Sequence, residues 1–126
     1  MTTLYHGTSR YVALEMVENQ AINIERITAH QVGKGYASGL YTTTQSTTAE
    51  WFADAQFNRG NGGGPELIQI EVPTSQLNNF LQANGLTLDA PLPQSPVPGM
   101  TELFIPTEYL SDFNDLDLNI SIQETP

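Results

Sequence analysis

Residues that could do chemistry are concentrated in two short motifs in the first part of the chain. Residues 4–9 (LYHGTS) place a histidine before a glycine, and residues 33–43 place three glycines before a short Leu-Tyr-Thr-Thr run. Two of the four basic residues, Arg10 and Lys34, lie beside or inside these motifs. One or two cations together with backbone N–H groups are enough to bind a small anionic ligand. The two motifs therefore permit a site for a small anionic molecule.

The overall charge argues against several larger partners. The chain has 14 acidic and 4 basic residues, which gives a net charge of -10. A protein that follows a nucleic-acid backbone needs a basic stripe, and an anionic membrane surface also attracts basic residues. No basic-then-apolar leader opens the sequence, and no apolar run approaches the ~20 residues of a membrane span. We therefore expect a cytoplasmic protein, or one delivered into the cytoplasm of a target cell, with no membrane partner.

Cysteine and metal chemistry are disfavoured by the composition. Because cysteine is absent from the chain, disulfides, thiolate metal sites and a cysteine nucleophile are excluded. The two histidines, His6 and His30, do not form a His-x-x-x-His pair, so we predict no metal. The acidic run at 112–117 lacks the glycine and the terminal glutamate of a calcium loop, and is interpreted as a solvated surface.

The elements that must position these residues follow from local patterns in a single domain, residues 1–126. Strands are predicted from apolar, β-branched or alternating runs at 3–6, 21–24, 40–43, 66–72, 101–105 and 116–122. Helices are predicted at 9–19 with Thr8 or Ser9 as N-cap, at 47–57 behind a capping box at 47–50, and after Ser75 as far as Gly85. The proline-rich residues 90–99 are expected to form an extended loop. Since strands outnumber helices, the pattern indicates an α+β fold with a mainly antiparallel sheet.

The order of three features resembles the ADP-ribosyltransferase family of the His-Tyr-Glu type. They are a His-Gly-Thr run at 6–8, a Gly-Leu-Tyr strand that contains Tyr41, and Glu102 at the start of a late apolar strand. Diphtheria toxin and the poly-ADP-ribose polymerases belong to this family. The resemblance implies a compact, mainly antiparallel split β-sheet core with two or three short helices. It also implies transfer of ADP-ribose from NAD, used as a substrate, without a metal.

The resemblance assigns the first motif to NAD binding. It implies that His6 hydrogen-bonds a hydroxyl of the adenine-side ribose. The backbone of Gly7 would pair with the nicotinamide amide, at a distance that a side chain would obstruct. Thr8 completes the motif, and Arg10 and Lys34 are the cations expected beside the anionic part of NAD.

Aromatic residues of the second motif are expected to bind the nicotinamide ring. Tyr41 would stack on this ring, because an electron-rich aromatic face suits a cationic pyridinium. A second aromatic residue, Trp51 or Phe52, would form the other side of the slot, and alignment on Ala49 favours Trp51. Thr48 matches a small hydroxyl residue that contacts the carboxamide in the polymerase branch, although the capping box competes for it.

Glu102 is the expected catalytic carboxylate, in a set with His6 and Tyr41. In the family, this glutamate hydrogen-bonds the 2-hydroxyl of the nicotinamide ribose and stabilises an oxocarbenium-like transition state. Glu108 is the alternative, but it follows Pro106 and is expected to lie in a turn.

The resemblance therefore implies an NAD-dependent mono-ADP-ribosyltransferase, of the kind found as a small bacterial toxin or effector domain. Two alternatives stay open: an NAD glycohydrolase, in which water replaces the acceptor, and a non-catalytic module that binds NAD or a partner. The first strand lacks the arginine of the Arg, Ser-Thr-Ser and Glu-x-Glu branch, so arginine modification by that route is disfavoured. The acidic charge favours a protein over a nucleic acid as the acceptor, and a neutralising immunity protein is a second expected kind of partner.

Overall fold

The part of the protein that the structure describes contains six strands, three α-helices with defined limits and further short helical segments. The structure is a computed structural model and describes residues 1–25, 39–50, 65–88, 90–91 and 101–123. The strands are β1 (Thr2–Ser9), β2 (Gly39–Thr42), β3 (Pro65–Val72), β4 (Ala90–Pro91), β5 (Thr101–Pro106) and β6 (Asn119–Ile122). The helices are α1 (Arg10–Asn19), α2 (Thr74–Asn84) and α3 (Leu110–Asn114), the last preceded by a 3-10 turn at Thr107–Tyr109. Residues 46–50 are helical as well.

The strands form two antiparallel sheets that meet at one point. The first sheet has the order β1-β3-β6, and the second sheet has the order β2-β5-β4. Between them, the Tyr5 N–H donates to the Thr43 carbonyl oxygen over 2.7 Å, and the Thr43 N–H donates to the Tyr5 oxygen over 3.0 Å. All strand pairings among the described residues are antiparallel. The predicted α+β class with a mainly antiparallel core is confirmed, and the core is split where β1 and β2 separate.

Alternating apolar residues direct one face of the first sheet toward the core. Leu4 lies opposite Ile70, Ile70 lies opposite Ile120, and all three are buried. Helix α1 covers this face at β3 and β6 with Ala13 and Met16, which are buried at the predicted helical spacing. Each fully buried aliphatic side chain of this size is worth about 1.5–3 kcal/mol, so the shared face holds the sheet and helix together.

The remaining core comes from the second half of the chain. Leu77, Phe80 and Leu81 are the buried residues of α2, as their spacing predicts. The Phe80 ring packs on Phe113 of α3 with a centroid separation of 5.6 Å. Gly85 ends α2 with a left-handed φ of 65°, which glycine adopts without steric cost, so the predicted stop is confirmed.

Two predicted strands and one predicted loop differ in the structure. β1 extends from Thr2 to Ser9 because all eight residues pair with β3. Residues 21–24 do not form a strand, because the backbone of Ile22 bonds to the Asn114 side chain at 2.8 and 3.0 Å, and residues 24–25 are helical. Within the predicted loop at 90–99, residues 90 and 91 form β4, which pairs with β5.

The last strand is shorter than its alternating pattern predicts. β6 begins at Asn119, although the alternation starts at residue 116. The Leu116 N–H donates to the Phe113 oxygen and the Leu118 N–H donates to the Leu116 oxygen. These bonds form a turn after α3. Residues 116–118 therefore end the helix and do not pair with another strand.

Two predicted helix caps are wrong. The helix expected behind a capping box already includes residue 46, and the preceding residue, Gln45, accepts the Ala49 N–H over 3.2 Å. Thr48 does not serve that cap, since its hydroxyl donates to Gln45 Oε1 over 2.7 Å. The expected extension of this helix to residue 57 lies outside the described residues. In α2 the N-cap is Pro73, so Ser75 lies within the first turn. Ser9 is the N-cap residue of α1, as predicted, but its side chain makes no capping hydrogen bond.

Candidate functional site

The point where the two sheets separate exposes the backbone of the His-Gly motif. Both backbone groups of Tyr5 bond to Thr43, so they point away from β3. Successive residues of a strand direct their backbone groups to alternate sides, and Gly7 therefore directs its N–H and C=O to the same side as Tyr5. No strand pairing joins β1 to β2 beyond the single bridge in the described residues. The Gly7 backbone thus faces the opening between the sheets.

The His6 side chain forms a hydrogen bond to β2 beside this opening. Its Nδ1–H donates to the carbonyl oxygen of Tyr41 over 2.7 Å. A carbonyl oxygen only accepts, so the proton lies on Nδ1 and the neutral ring keeps a lone pair on Nε2. Burial lowers the pKa of His6, and this effect exceeds the opposing one of the bond to Tyr41. A neutral imidazole with an accepting Nε2 is therefore the favoured form at neutral pH.

The Tyr41 side chain packs against an aromatic residue of the neighbouring strand. Tyr41 lies directly opposite Phe104 in the β2–β5 register, and their ring centroids are 4.6 Å apart with planes inclined by 35°. Both residues are partly exposed. Sequence reasoning assigned no role to Phe104. It stands two residues after Glu102 on one strand, so alternation places both on the same face, and this spacing was the available signal.

Glu102 is the second residue of β5 and lies beside the bridge between the sheets. The β2–β5 register pairs Thr42 with Leu103, so the next position of β5, Glu102, falls level with Thr43. Its side chain is partly exposed and shares a face with Tyr41 and Phe104. Burial raises the pKa of the Glu102 carboxyl. The rival Glu108 is exposed in the 3-10 turn, as expected.

The three predicted catalytic residues do not all lie on the same face of the strands. Tyr41 and Glu102 lie on one face of the second sheet. His6 lies on β1, and its side chain is on the opposite face, which it shares with the buried Leu4 and Thr8. The structure therefore brings His6 to the backbone of Tyr41 and not to its ring.

The other predicted NAD-binding residues take varied positions. Thr8 and Thr48 are buried, at 4% and 2% exposure. The Arg10 guanidinium is exposed at the start of α1 and forms an ion pair with Glu66 over 3.5 Å. Lys34 lies outside the described residues. So do Trp51 and Phe52, the two candidates for the second aromatic residue.

In the described ranges, no three His, Cys, Asp or Glu side chains are grouped as a metal site. None of the helices described is long and apolar enough to cross a membrane. Comparison with protein-family models, curated proteins and solved structures gives no match to this chain.

Proposed function

We propose that the protein is an NAD-dependent mono-ADP-ribosyltransferase, with its site at the split between the two sheets. The observation that carries the proposal is the His6–Tyr41 hydrogen bond beside the outward-facing backbone of Gly7. It brings a neutral imidazole to the backbone of β2, next to the two Gly7 backbone groups that face the opening between the sheets. Glu102 adds a carboxylate two residues from the aromatic partner of Tyr41.

The backbone of Gly7 is complementary to the nicotinamide carboxamide. A primary amide carries an N–H donor and a C=O acceptor side by side, and the strand edge of Gly7 offers the matching acceptor and donor. The missing side chain permits close approach. His6 Nε2, as an acceptor, would take a hydrogen bond from a ribose hydroxyl. With the adenine-side ribose on His6 and the carboxamide on Gly7, the dinucleotide would be held on both sides of its pyrophosphate.

Glu102 supplies charge stabilisation for the reaction. The bond between C1 of the ribose and the pyridinium nitrogen breaks, and its electron pair leaves with neutral nicotinamide. C1 becomes oxocarbenium-like, and a carboxylate in a partly buried position stabilises this positive charge more strongly than one in bulk water. The acceptor nucleophile then bonds to C1 and loses its proton to solvent. Water in place of the acceptor would give the NAD glycohydrolase.

The acceptor and the neutralising partner are proposed only by their chemical class. A net charge of -10 suits an acceptor protein with a basic surface better than a nucleic acid. The same charge suits a basic neutralising partner, as expected for a toxin or effector that acts in the cytoplasm.

The test is release of nicotinamide from NAD by the pure protein, alone and with a cell lysate. The Glu102→Gln variant should retain NAD binding and lose roughly a hundredfold in rate, because an amide keeps the shape but not the charge. Glu108→Gln is the matched control, since Glu108 is exposed in a turn, and should stay near the wild-type rate. Label transferred to a lysate protein supports the transferase, and free ADP-ribose supports the glycohydrolase. NAD binding without nicotinamide release under both conditions would overturn the catalytic assignment.

A further inference from the structure

We propose that Phe104 is a positioning residue that fixes the plane of the Tyr41 ring for stacking against a planar ligand ring. This inference rests on the proposed function, because the ligand ring it concerns is the nicotinamide of NAD. No part of the family resemblance assigns a role to this position.

The strand register brings the two rings as close as a sheet allows. Thr43 directs its backbone groups to β1, and Tyr41, two residues earlier, does the same. Tyr41 and Phe104 therefore form a pair without mutual backbone hydrogen bonds, in which Cα atoms approach to about 4.5 Å and side chains pack most closely. The observed centroid separation of 4.6 Å agrees with such a pair.

Gly39 keeps the Phe104 ring in this place. A Cβ atom at residue 39 would lie 2.6 Å from Cε2 and 2.8 Å from Cζ of Phe104, and would also meet the carbonyl oxygen of Ile105. The ring thus lies against bare backbone of β2, in space that any other residue at position 39 would fill. Since backbone cannot move aside as a side chain can, the backbone of β2 at Gly39 supports the Phe104 ring.

Tyr41 is consequently held at two points. Its ring contacts Phe104, and its carbonyl oxygen accepts the bond from His6. A ring that is already oriented loses little conformational freedom when a ligand stacks on it, so more of the stacking energy appears as affinity. The effect should be confined to ligands that carry the stacking ring.

The experiment compares two ligands on two Phe104 variants. Nicotinamide carries the ring, and ADP-ribose is the remainder of NAD without it. For Phe104→Leu we expect a roughly 3- to 10-fold loss of nicotinamide affinity by calorimetry, with a matching rise in KM for NAD and unchanged ADP-ribose affinity. Phe104→Tyr, which restores an aromatic ring, should return nicotinamide affinity to near the wild-type value. Circular dichroism and thermal unfolding verify folding, and Phe104→Met replaces the leucine variant if that one does not fold.

The outcomes separate this inference from the proposed function. Wild-type protein that binds neither NAD nor nicotinamide would overturn the proposed function and this inference with it. Wild-type binding with no change in the non-aromatic variant would overturn only the positioning role. Equal losses for nicotinamide and ADP-ribose would also overturn it, because they would show a general structural effect of Phe104.

Discussion

The two sheets of this protein differ in how firmly they are connected to the rest of the molecule. The first sheet is buried by α1 and by the alternating aliphatic residues of three strands. Among the described residues, one β-bridge and the His6–Tyr41 hydrogen bond join the second sheet to the first. The second sheet carries the partly exposed Tyr41, Phe104 and Glu102. The difference indicates that the first sheet supplies a shared aliphatic face. The proposed site draws on both sheets, with His6 and Gly7 on β1 and with Tyr41 and Glu102 on the second sheet, at the boundary where pairing stops.

Side-chain amides reinforce the first sheet at its edge. Gln20 Nε2 donates to the Ile120 oxygen and to the Val17 oxygen, and Gln20 Oε1 accepts the Ile120 N–H, at 2.7–2.8 Å. Asn114 bonds both backbone groups of Ile22 in the same way. The amide of Gln20 therefore takes the place of a further strand along β6 and covers part of an otherwise exposed edge.

His6 on β1 and Glu102 on β5 lie on either side of the boundary between the two sheets. Burial lowers the pKa of His6 and raises the pKa of Glu102, so both residues lie where their charged forms are disfavoured. Perturbed ionisable groups at a sheet boundary are typical of functional positions, since they cost stability without packing benefit.

The largest effect on stability should come from the core of the first sheet. Ile70→Ala removes a fully buried side chain at the centre of the sheet. We expect the free energy of unfolding to fall by about 3 kcal/mol, from lost burial and from the cavity that remains. Chemical denaturation measures this. A loss below about 1 kcal/mol would contradict the assignment of stability to the first sheet.

Loss of the Gln20 amide should have the next largest effect. Gln20 has a left-handed φ of 50°, and alanine carries a similar backbone penalty there, so Gln20→Ala isolates the amide bonds. We expect a loss of about 2 kcal/mol in unfolding free energy, together with some self-association as the Ile120 edge becomes available. Gln82→Ala, at an exposed position of α2, is the control and should be close to neutral. Light scattering that shows no oligomers would remove the edge-covering role.

Tyr41 should influence ligand binding more than folding. Tyr41→Ala is expected to weaken nicotinamide binding by about 1 kcal/mol, whereas Tyr41→Phe keeps the ring and should bind almost as the wild type does. Calorimetry with nicotinamide distinguishes the two. If both variants lose affinity equally while remaining folded, the hydroxyl and not the ring carries the role.

The smallest expected effect is a pH-dependent difference in stability at Glu102. Its pKa is raised from 4.5, so the folded state holds this proton more tightly than the unfolded chain. Between 4.5 and the raised pKa, the stability contribution of Glu102 is lost as pH rises. Glu102→Gln should therefore be slightly more stable than the wild type near about pH 7, and the difference should shrink toward about pH 4. Thermal unfolding across this range would contradict the prediction if the glutamine variant were the less stable protein near neutral pH.

The sequence predicts the strands that carry His6, Tyr41 and Glu102 better than it predicts the contacts of these residues. His6, Tyr41 and Glu102 lie on the predicted strands, and the structure adds the bond from His6 to the backbone of Tyr41. The contact of Tyr41 with Phe104 required the β2–β5 register, which no local pattern specifies. The capping box failed because Gln45, with its side chain turned to Thr48, starts the helix earlier than the Thr-x-x-Glu spacing suggests.

The sequence by itself determined the elements whose signal is contained within a few residues. The alternation of Ile68, Ile70 and Val72 predicts β3, and the left-handed freedom of Gly85 predicts the end of α2, because period and backbone sterics act locally. Only the tertiary structure decided where the sheets separate and which groups meet there. The bond from His6 to Tyr41 joins residues 35 positions apart, and the bonds from Gln20 to Ile120 join residues 100 positions apart. Such contacts depend on how the packed elements bring distant backbone groups together, and local propensities contain no information about that arrangement.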